Sequence, residues 1–493
     1  MIRVCNEITK LQKNFWSHCM FHPTDAVEDP WGKRILDRFA KDRSIHTVRI
    51  WAMLEDVAYL DENGEMAYDF RLTDLRLDYL LEKGFNILIA YGMIPECIAS
   101  KKTFSAVAKG KTRYKGKMIN TSEPTDYQLW EEICYQYTKH LVDRYGIGEV
   151  SKWYLQCLNE PDILSFFIPE YTNEQYVERV EKYAKLYTSF ANGLLRVSDK
   201  LHIGGPVLSS VEGFLECFLN FIRESGTRLD YIAVHNYART FHVPLNNGSK
   251  RFDVRNWIEK QETYQRIIDQ CGFSGTEVVV DEWGMSSMGF FNIEECPEFG
   301  KRDTEVYSSY YVKLIHQLIE KNFNLSKILL CLSGQHEMVT EFSGFRNFFS
   351  LNFAPKPIYN AFVLGSKLYE GLTGAEHGVD HLYVIPTRND NGDYAVLMTY
   401  SKHEFEEDLP ETVQELVFDD DISEKNVTVY CIDKNTANAY RAYEKLGKPA
   451  APTAEQIQLL KDTGNIKPIA VFPGTEKINI KLTANSVYLV EVK

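Results

Sequence analysis

The sequence is short of positive charge: 55 lysines and arginines face 69 aspartates and glutamates, a formal net charge of −14. Nucleic-acid affinity comes largely from clustered Lys and Arg that neutralise phosphates, so no nucleic-acid partner is expected. The most basic stretch, 109–117, spaces Lys109, Lys111, Arg113, Lys115 and Lys117 with Gly110 and Gly116. It reads as a solvated loop at a site rim, with contact to an acidic sugar as the alternative. Long apolar runs are also missing. None approaches the roughly 20 residues of a membrane span, and Met1-Ile2-Arg3-Val4-Cys5-Asn6-Glu7 has no apolar segment behind its basic residue. A cytoplasmic protein without membrane contact is expected. The ten cysteines form no Cys-x-x-Cys pair and no zinc-like cluster, so reduced thiols are expected and neither metal nor cofactor. Without a secretion signal, the sequons Asn247-Gly248-Ser249 and Asn426-Val427-Thr428 read as chance. Internal repeats and low-complexity tracts are lacking too.

What is present is a chain of 493 residues, 44% hydrophobic and 13% aromatic, ordinary for a globular protein and mildly rich in stacking groups. That length suits a barrel of roughly 300 to 370 residues plus one smaller domain. Between residues 12 and 372, short apolar β-branched runs alternate with amphipathic helical stretches. The runs lie near 15–17, 47–51, 86–91, 152–159, 202–205, 231–235, 277–282 and 327–333. Helical periodicity covers 72–83, 128–144, 173–196, 213–225, 256–270, 305–321 and 358–369. Strand followed by helix, repeated eight times, predicts an α/β fold, a closed (β/α)8 TIM barrel. Thr125-Asp126 and Thr172 stand where helix N-caps are wanted, and Gly272 where a helix must stop. The polar segment 94–123 is long for a barrel loop, which favours a substrate-facing role. From 373 to 493 the texture becomes alternating short strands with turns such as Asn389-Asp390-Asn391-Gly392. A C-terminal all-β sandwich is expected there, joined by a strand from 1–11.

Active sites of such barrels sit at the C-terminal ends of the strands, so acids that end apolar runs carry the functional signal. Two stand out. The fourth run ends in Leu158-Asn159-Glu160-Pro161-Asp162, where the Pro161 ring is expected to hold Glu160 in extended backbone. The seventh, Val278-Val279-Val280, ends in Asp281-Glu282-Trp283-Gly284. Carboxyls from these two strands point at one central cavity. In retaining glycosidases they stand about 5 to 5.5 Å apart, one as acid/base and one as nucleophile. One must then stay protonated while the other stays ionised.

These motifs, with Val234-His235-Asn236-Tyr237, resemble clan A glycoside hydrolases and within that clan family 39, the family of β-xylosidases and α-L-iduronidases. The resemblance implies Glu160 as acid/base, Glu282 as nucleophile, and Asn159 as a partner of the sugar 2-hydroxyl. It places His235 and Tyr237 in the glycone subsite, with the Tyr237 hydroxyl available to the nucleophile, and matches Arg49 to a second-strand arginine that keeps Glu282 ionised. Trp283 is a further candidate for substrate contact. The β-xylosidase pattern is broken at two places. Trp51 stands where those enzymes usually have histidine. The eighth run ends in Ser333-Gly334-Gln335-His336-Glu337 rather than a tryptophan-bearing motif, so Trp51, His336 and Glu337 become candidates for altered glycone contacts. The expected substrate is a small oligosaccharide or glycoside: a β-xyloside by resemblance, with an α-L-arabinoside, a β-glucoside or galactoside, or a uronide as alternatives. A homo-oligomer is compatible with the resemblance. Two other classes compete, a catalytically silent carbohydrate-binding barrel and a metal-dependent hydrolase using His18 and His22.

Overall fold

A computed structural model describes residues 1–22, 27–106, 118–172, 175–237, 252–289 and 292–493. The basic stretch 109–117 and the sequon at 247–249 lie outside these residues. Eight parallel strands close the barrel: β1 (His18–Phe21), β2 (Thr47–Trp51), β3 (Asn86–Tyr91), β4 (Tyr154–Cys157), β5 (His202–Leu208), β6 (Tyr231–Tyr237), β7 (Glu277–Gly284) and β8 (Leu325–Leu332). Strand β8 pairs with β1, and β3 with β4, which completes the ring. The covering helices are α1 (Pro30–Asp42), α2 (Arg71–Glu82), α3 (Tyr127–Tyr145), α4 (Tyr176–Leu195), α5 (Glu212–Ser225), α6 (Val254–Gln270), α7 (Glu305–Lys321) and α8 (Pro357–Gly365).

Side chains alternate across each strand, so every strand is buried on two faces. Ile232, Val234, Val278 and Val280 pack outward against the helices. Leu88, Val207, Tyr231, Ala233, Val279 and Leu329 fill one layer of the barrel interior. Above that layer the interior turns polar, with Arg49, Gln156, His235 and Asp281 buried.

The first strand starts later than its expected 15–17. Asn14 Oδ1 accepts from the backbone N–H of Trp16 (3.2 Å) and Ser17 (3.0 Å), which turns the chain there and delays the strand to His18. Strands β5, β6 and β7 run two or three residues past their expected ends, carrying functional side chains within the ladder. Helix α1 had no counterpart in the periodicity. Asp126 caps α3 by accepting from Gln128 N–H at 2.8 Å. Thr172 does not cap α4: its hydroxyl lies 3.4 Å from Gln175 Oε1, the helix begins at Tyr176, and residues 173–174 are not described. Gly272 follows α6 at φ +89°, a left-handed stop.

Beyond the barrel, Leu382–Arg388, Tyr394–Tyr400, Asn426–Ile432, Pro468–Pro473 and Ser486–Val492 form most of a seven-stranded sheet. A four-stranded sheet faces it and includes the N-terminal Ile2–Val4, paired with Ala375–His377 and Thr412–Phe418. Between the sheets lie Ile2, Val4, Val396, Met398, Leu416 and Val490. The opposite face of the larger sheet, with Ala395, Leu397 and Leu489, joins the barrel core. Two helices, Ala439–Lys445 and Ala454–Gly464, are inserted in this β-sandwich; the strand reading did not foresee them, although Thr453 and Gln456 form a capping box. Among the described residues, no helix is long and apolar enough to cross a membrane.

Candidate active site

Strand β4 stops at Cys157, and the chain then turns steeply. Leu158 has φ +63° and Glu160 φ +48°. The expectation that Pro161 holds Glu160 extended is therefore overturned. The competing force is the cross-strand bond from Glu160 N–H to the Val207 carbonyl (2.9 Å), itself turned out of the β5 ladder by φ +62° at Val207. Left-handed backbone at non-glycine residues costs of order 1–3 kcal/mol each and persists only where the surroundings impose it. Asp162 supplies part of that frame. Its carboxylate accepts from the N–H groups of Ser209 (2.8 Å), Ser210 (2.8 Å) and Val211 (3.0 Å) at the entry to α5.

Strand β7 reaches the same cavity through a bulge. Val234 pairs with Val280 but His235 pairs with Glu282, so Asp281 is one residue too many. A bulge lets two successive side chains face the same way; both Asp281 and Glu282 point into the barrel. Trp283 consequently points out. It is fully buried, its ring lies parallel to Tyr311 of α7 at 6.1 Å, and it belongs to the packing between strands and helices.

Glu282 is gripped on both oxygens: Arg49 Nη1 donates to Oε1 at 2.7 Å and the Tyr237 hydroxyl to Oε2 at 2.7 Å. Arg49 Nη2 donates to Asn159 Oδ1 at 2.6 Å, which leaves the Asn159 amide N–H groups facing the cavity side of that pair. His235 Nδ1 meets Glu160 Oε1 at 2.8 Å and lies 3.6 Å from Glu282 Oε2. One carboxylate oxygen of Glu160, one of Glu282 and a His235 ring nitrogen all fall within 4.8 Å of one another.

The two glutamates are pushed in opposite directions. Burial raises the pKa of Glu160; His235 partly offsets this, while Glu282 and Asp162 add to it, and the result stays above the ordinary carboxyl value. Burial acts the same way on Glu282, but His235, Arg49, Arg346 and the Tyr237 hydroxyl overcome it and hold that carboxyl at about 2. For His235, burial works against the charged form, yet Glu282, Asp281 and Glu160 raise it to about 10. Protonated on both nitrogens, His235 can donate to a carboxyl group on either side of its ring. The two first-strand histidines sit apart. His18 contacts the Asn14 carbonyl at 3.2 Å, whereas His22 is packed 6.1 Å from the Trp51 ring; three residues lie between them, a span of roughly 13 Å in extended chain.

Trp51 is buried in the cavity wall between His22 and Phe166. Glu337 is half-buried at the end of β8, and the side chain of His336 lies outside the described structure. Three groups in the site were not identified from sequence. Gln156 and Asp281 lie in the barrel interior below the carboxyls. Arg346, from the loop after β8, is buried with its guanidinium 5.0 Å from the Tyr237 ring, and its Nε donates to Ser333 Oγ at 3.1 Å. Gly334, at φ +83°, allows this loop to fold back: a Cβ there would meet the Phe345 ring at 2.6 Å.

The profile described as glycosyl hydrolases family 39 matches residues 2–477. A β-xylosidase from Caldicellulosiruptor saccharolyticus is 24% identical over 476 residues, 92% of this chain and 89% of that protein. The human α-L-iduronidase is 30% identical over 221 residues, 42% of this chain and 30% of that one. Among solved structures, a monomeric β-xylosidase from Caulobacter crescentus superposes with a TM-score of 0.82 at 17% identity, covering 100% of this chain and 99% of the other.

Proposed function

The chain belongs to glycosyl hydrolases family 39, and from that premise we propose that it is a retaining glycosidase acting on small glycosides by double displacement. Glu160 protonates the glycosidic oxygen while Glu282 attacks the anomeric carbon, releasing the aglycone and leaving the glycone esterified to Glu282. Glu160, now a carboxylate, takes a proton from water, which attacks the same carbon and frees Glu282. Asn159, held by Arg49, is positioned to donate to a hydroxyl beside the anomeric centre.

One observation carries the reading: one oxygen of Glu160 and one of Glu282 lie within 4.8 Å of each other, in opposite electrostatic environments. Retaining enzymes hold their carboxyls about 5–5.5 Å apart; inverting ones need about 6.5–9.5 Å to admit a water. The test is a pair of variants on aryl glycosides. Glu282→Ala should lose about 10⁴-fold or more in kcat on every substrate. Glu160→Ala should lose about 10²- to 10⁴-fold on poor leaving groups and far less on activated ones, which need little protonation. Equal losses on both leaving-group types would remove the acid assignment.

The long relatives are β-xylosidases, which supports a β-xyloside as the first substrate to try. Arg346 favours a second reading, an acidic glycone. Its guanidinium is buried beside Tyr237 and Glu282, and Nη1 has no hydrogen-bond partner among the described residues. A buried cation with a free donor suits a sugar carboxylate. Nitrophenyl xyloside, arabinoside, glucoside, galactoside and uronide tested together decide between the readings. Preference for the uronide, abolished in Arg346→Met, supports the second.

A further inference from the structure

Neither half-reaction above uses Asp281, yet a fully buried carboxylate costs several kcal/mol unless its surroundings repay it. Three strands converge on one of its oxygens. Oδ2 accepts from Gln156 Nε2 of β4 at 2.8 Å, lies 3.0 Å from Arg49 Nε of β2, and faces His235 Nε2 of β6 at 3.5 Å. His235 thus stands between two carboxyl groups, Asp281 at Nε2 and Glu160 at Nδ1, with Glu282 3.6 Å from the same Nδ1. The Tyr231 hydroxyl, 3.4 Å from Gln156 Oε1, closes the cluster from below.

The charges can be counted. Arg49 and the His235 imidazolium supply two positive charges and Asp281 and Glu282 two negative ones; Arg346 beside Glu282 and Asp162 beside Glu160 add one of each sign. Glu160 is left neutral, the form an acid catalyst needs. Without the Asp281 charge, Arg49, His235 and Arg346 would face Glu282 with no second carboxylate among them. The excess would be relieved by losing a proton, either from His235 or from Glu160.

Resting on the reading that Glu160 and Glu282 divide the chemistry, we propose that Asp281 is a positioning residue acting through His235: it holds the imidazolium from below with its Nδ1–H between the two catalytic carboxyls, and its charge offsets the pull of that cation on the Glu160 proton. The form competent for glycosylation carries one proton on Glu160 and two on His235. Asp281 never touches substrate. The bulge in β7 exists to bring it inward together with the nucleophile.

The test is Asp281→Asn, which preserves shape and can still accept from Gln156. The readout is the pH profile of kcat/KM on aryl glycosides with good and poor leaving groups. The basic limb should move toward acid by about one pH unit or more. Turnover of the poor leaving group should fall about 10- to 100-fold, with a smaller loss on the good one. A merely structural role would lower both substrates equally and leave the limb in place; that result overturns the proposal. Should Asp281→Asn not fold, His235→Gln must displace the same limb, and a wild-type limb in that variant is equally fatal. Glu160→Ala separates this idea from the one beneath it. If Glu160→Ala keeps the wild-type basic limb, the acid/base assignment has failed; if it abolishes the limb while Asp281→Asn leaves it unmoved, only the role of Asp281 has.

Discussion

At the open end of the barrel, Arg49 and His235 lie among Asp281, Glu282 and Glu160; at the joint with the β-sandwich, Arg441 and Asn438 close on Glu305. Both groups join elements far apart in sequence; the first is buried, and in the second Glu305 and Asn438 are buried while Arg441 is half-buried. In the second, Glu305 Oε1 accepts from Arg441 Nη2 at 2.7 Å, and Oε2 accepts from Asn438 Nδ2 at 2.8 Å and Arg441 Nε at 3.2 Å. Each oxygen is occupied, and Glu305 also sits in the first turn of α7, where the helix dipole favours a negative charge. That cluster ties the barrel to the inserted helix Ala439–Lys445. At the strand ends the same kinds of group are matched unequally. Arg49, Tyr237 and His235 all favour ionised Glu282, while burial and neighbouring carboxylates push Glu160 toward its neutral form. A carboxylate with a donor on each oxygen fixes a joint; two carboxyls in unequal surroundings store a proton beside a carboxylate, which is what glycosidic cleavage requires.

Removing Arg49 should break the contrast most completely, because it serves both ends at once. Arg49→Met takes one partner each from Glu282, Asp281 and Asn159. Stability should drop by about 3–5 kcal/mol, as for one partner lost from a buried pair, and kcat/KM by about 10³-fold. Thermal unfolding and steady-state kinetics on the same preparation measure the two. A variant that loses activity at unchanged stability would mean the cluster is less tightly closed than its distances imply. Arg441→Met is the sharper control. It should cost about 2–4 kcal/mol and leave kcat/KM of the folded enzyme within about threefold at temperatures well below unfolding. A large fall in kcat/KM there would show that the joint feeds into the site.

The sequence shows one of these clusters far better than the other. Asn159, Glu160, Tyr237 and Glu282 end apolar runs, where a polar residue is conspicuous, and the eightfold strand-helix alternation follows directly from two periodicities. Asp281 is hidden by the bulge: strict alternation lets only one of two consecutive acids face inward, and the register slip that admits both depends on pairing with β6. Gln156 lies mid-strand, where a polar residue reads as an irregularity. Arg346 stands in an irregular loop with no period, so only its fold-back through Gly334 reveals it. Trp283 errs the other way, since a tryptophan beside a strand-end acid such as Glu282 suggests stacking on sugar, yet the ladder turns it outward to α7. Glu305 and Arg441, 136 residues apart, carry no local sign of each other.

The smallest effect, and the most direct reading of the contrast, is in the pH dependence of stability. His235, faced by Glu160, Asp281 and Glu282 and neighboured by Arg49, is raised to about 10 from an ordinary 6.5. A raised cation stabilises the fold fully below its unfolded pKa and loses that contribution as pH climbs through the folded one. Stability should therefore decline between about pH 6.5 and pH 10. Glu282, depressed to about 2 from 4.5, contributes above its unfolded value, and its share disappears as pH falls from about 4.5 through about 2. Glu160, displaced upward, adds a decline that begins as pH rises above its ordinary 4.5, because the folded state favours its protonated form. For a chain of this size a loss of a few kcal/mol lowers Tm by about 5 °C between pH 7 and pH 10. His235→Gln should flatten that alkaline slope and weaken the acid one only in part, because Arg49, Arg346 and Tyr237 still depress Glu282. Arg441→Met should lower Tm by a similar amount at every pH, because burial is overcome by Glu305 and Glu444 and the arginine is held above its ordinary value, far from the titrating range. Were His235→Gln to keep the wild-type alkaline slope, the charge on His235 would not be what the strand-end cluster is built around.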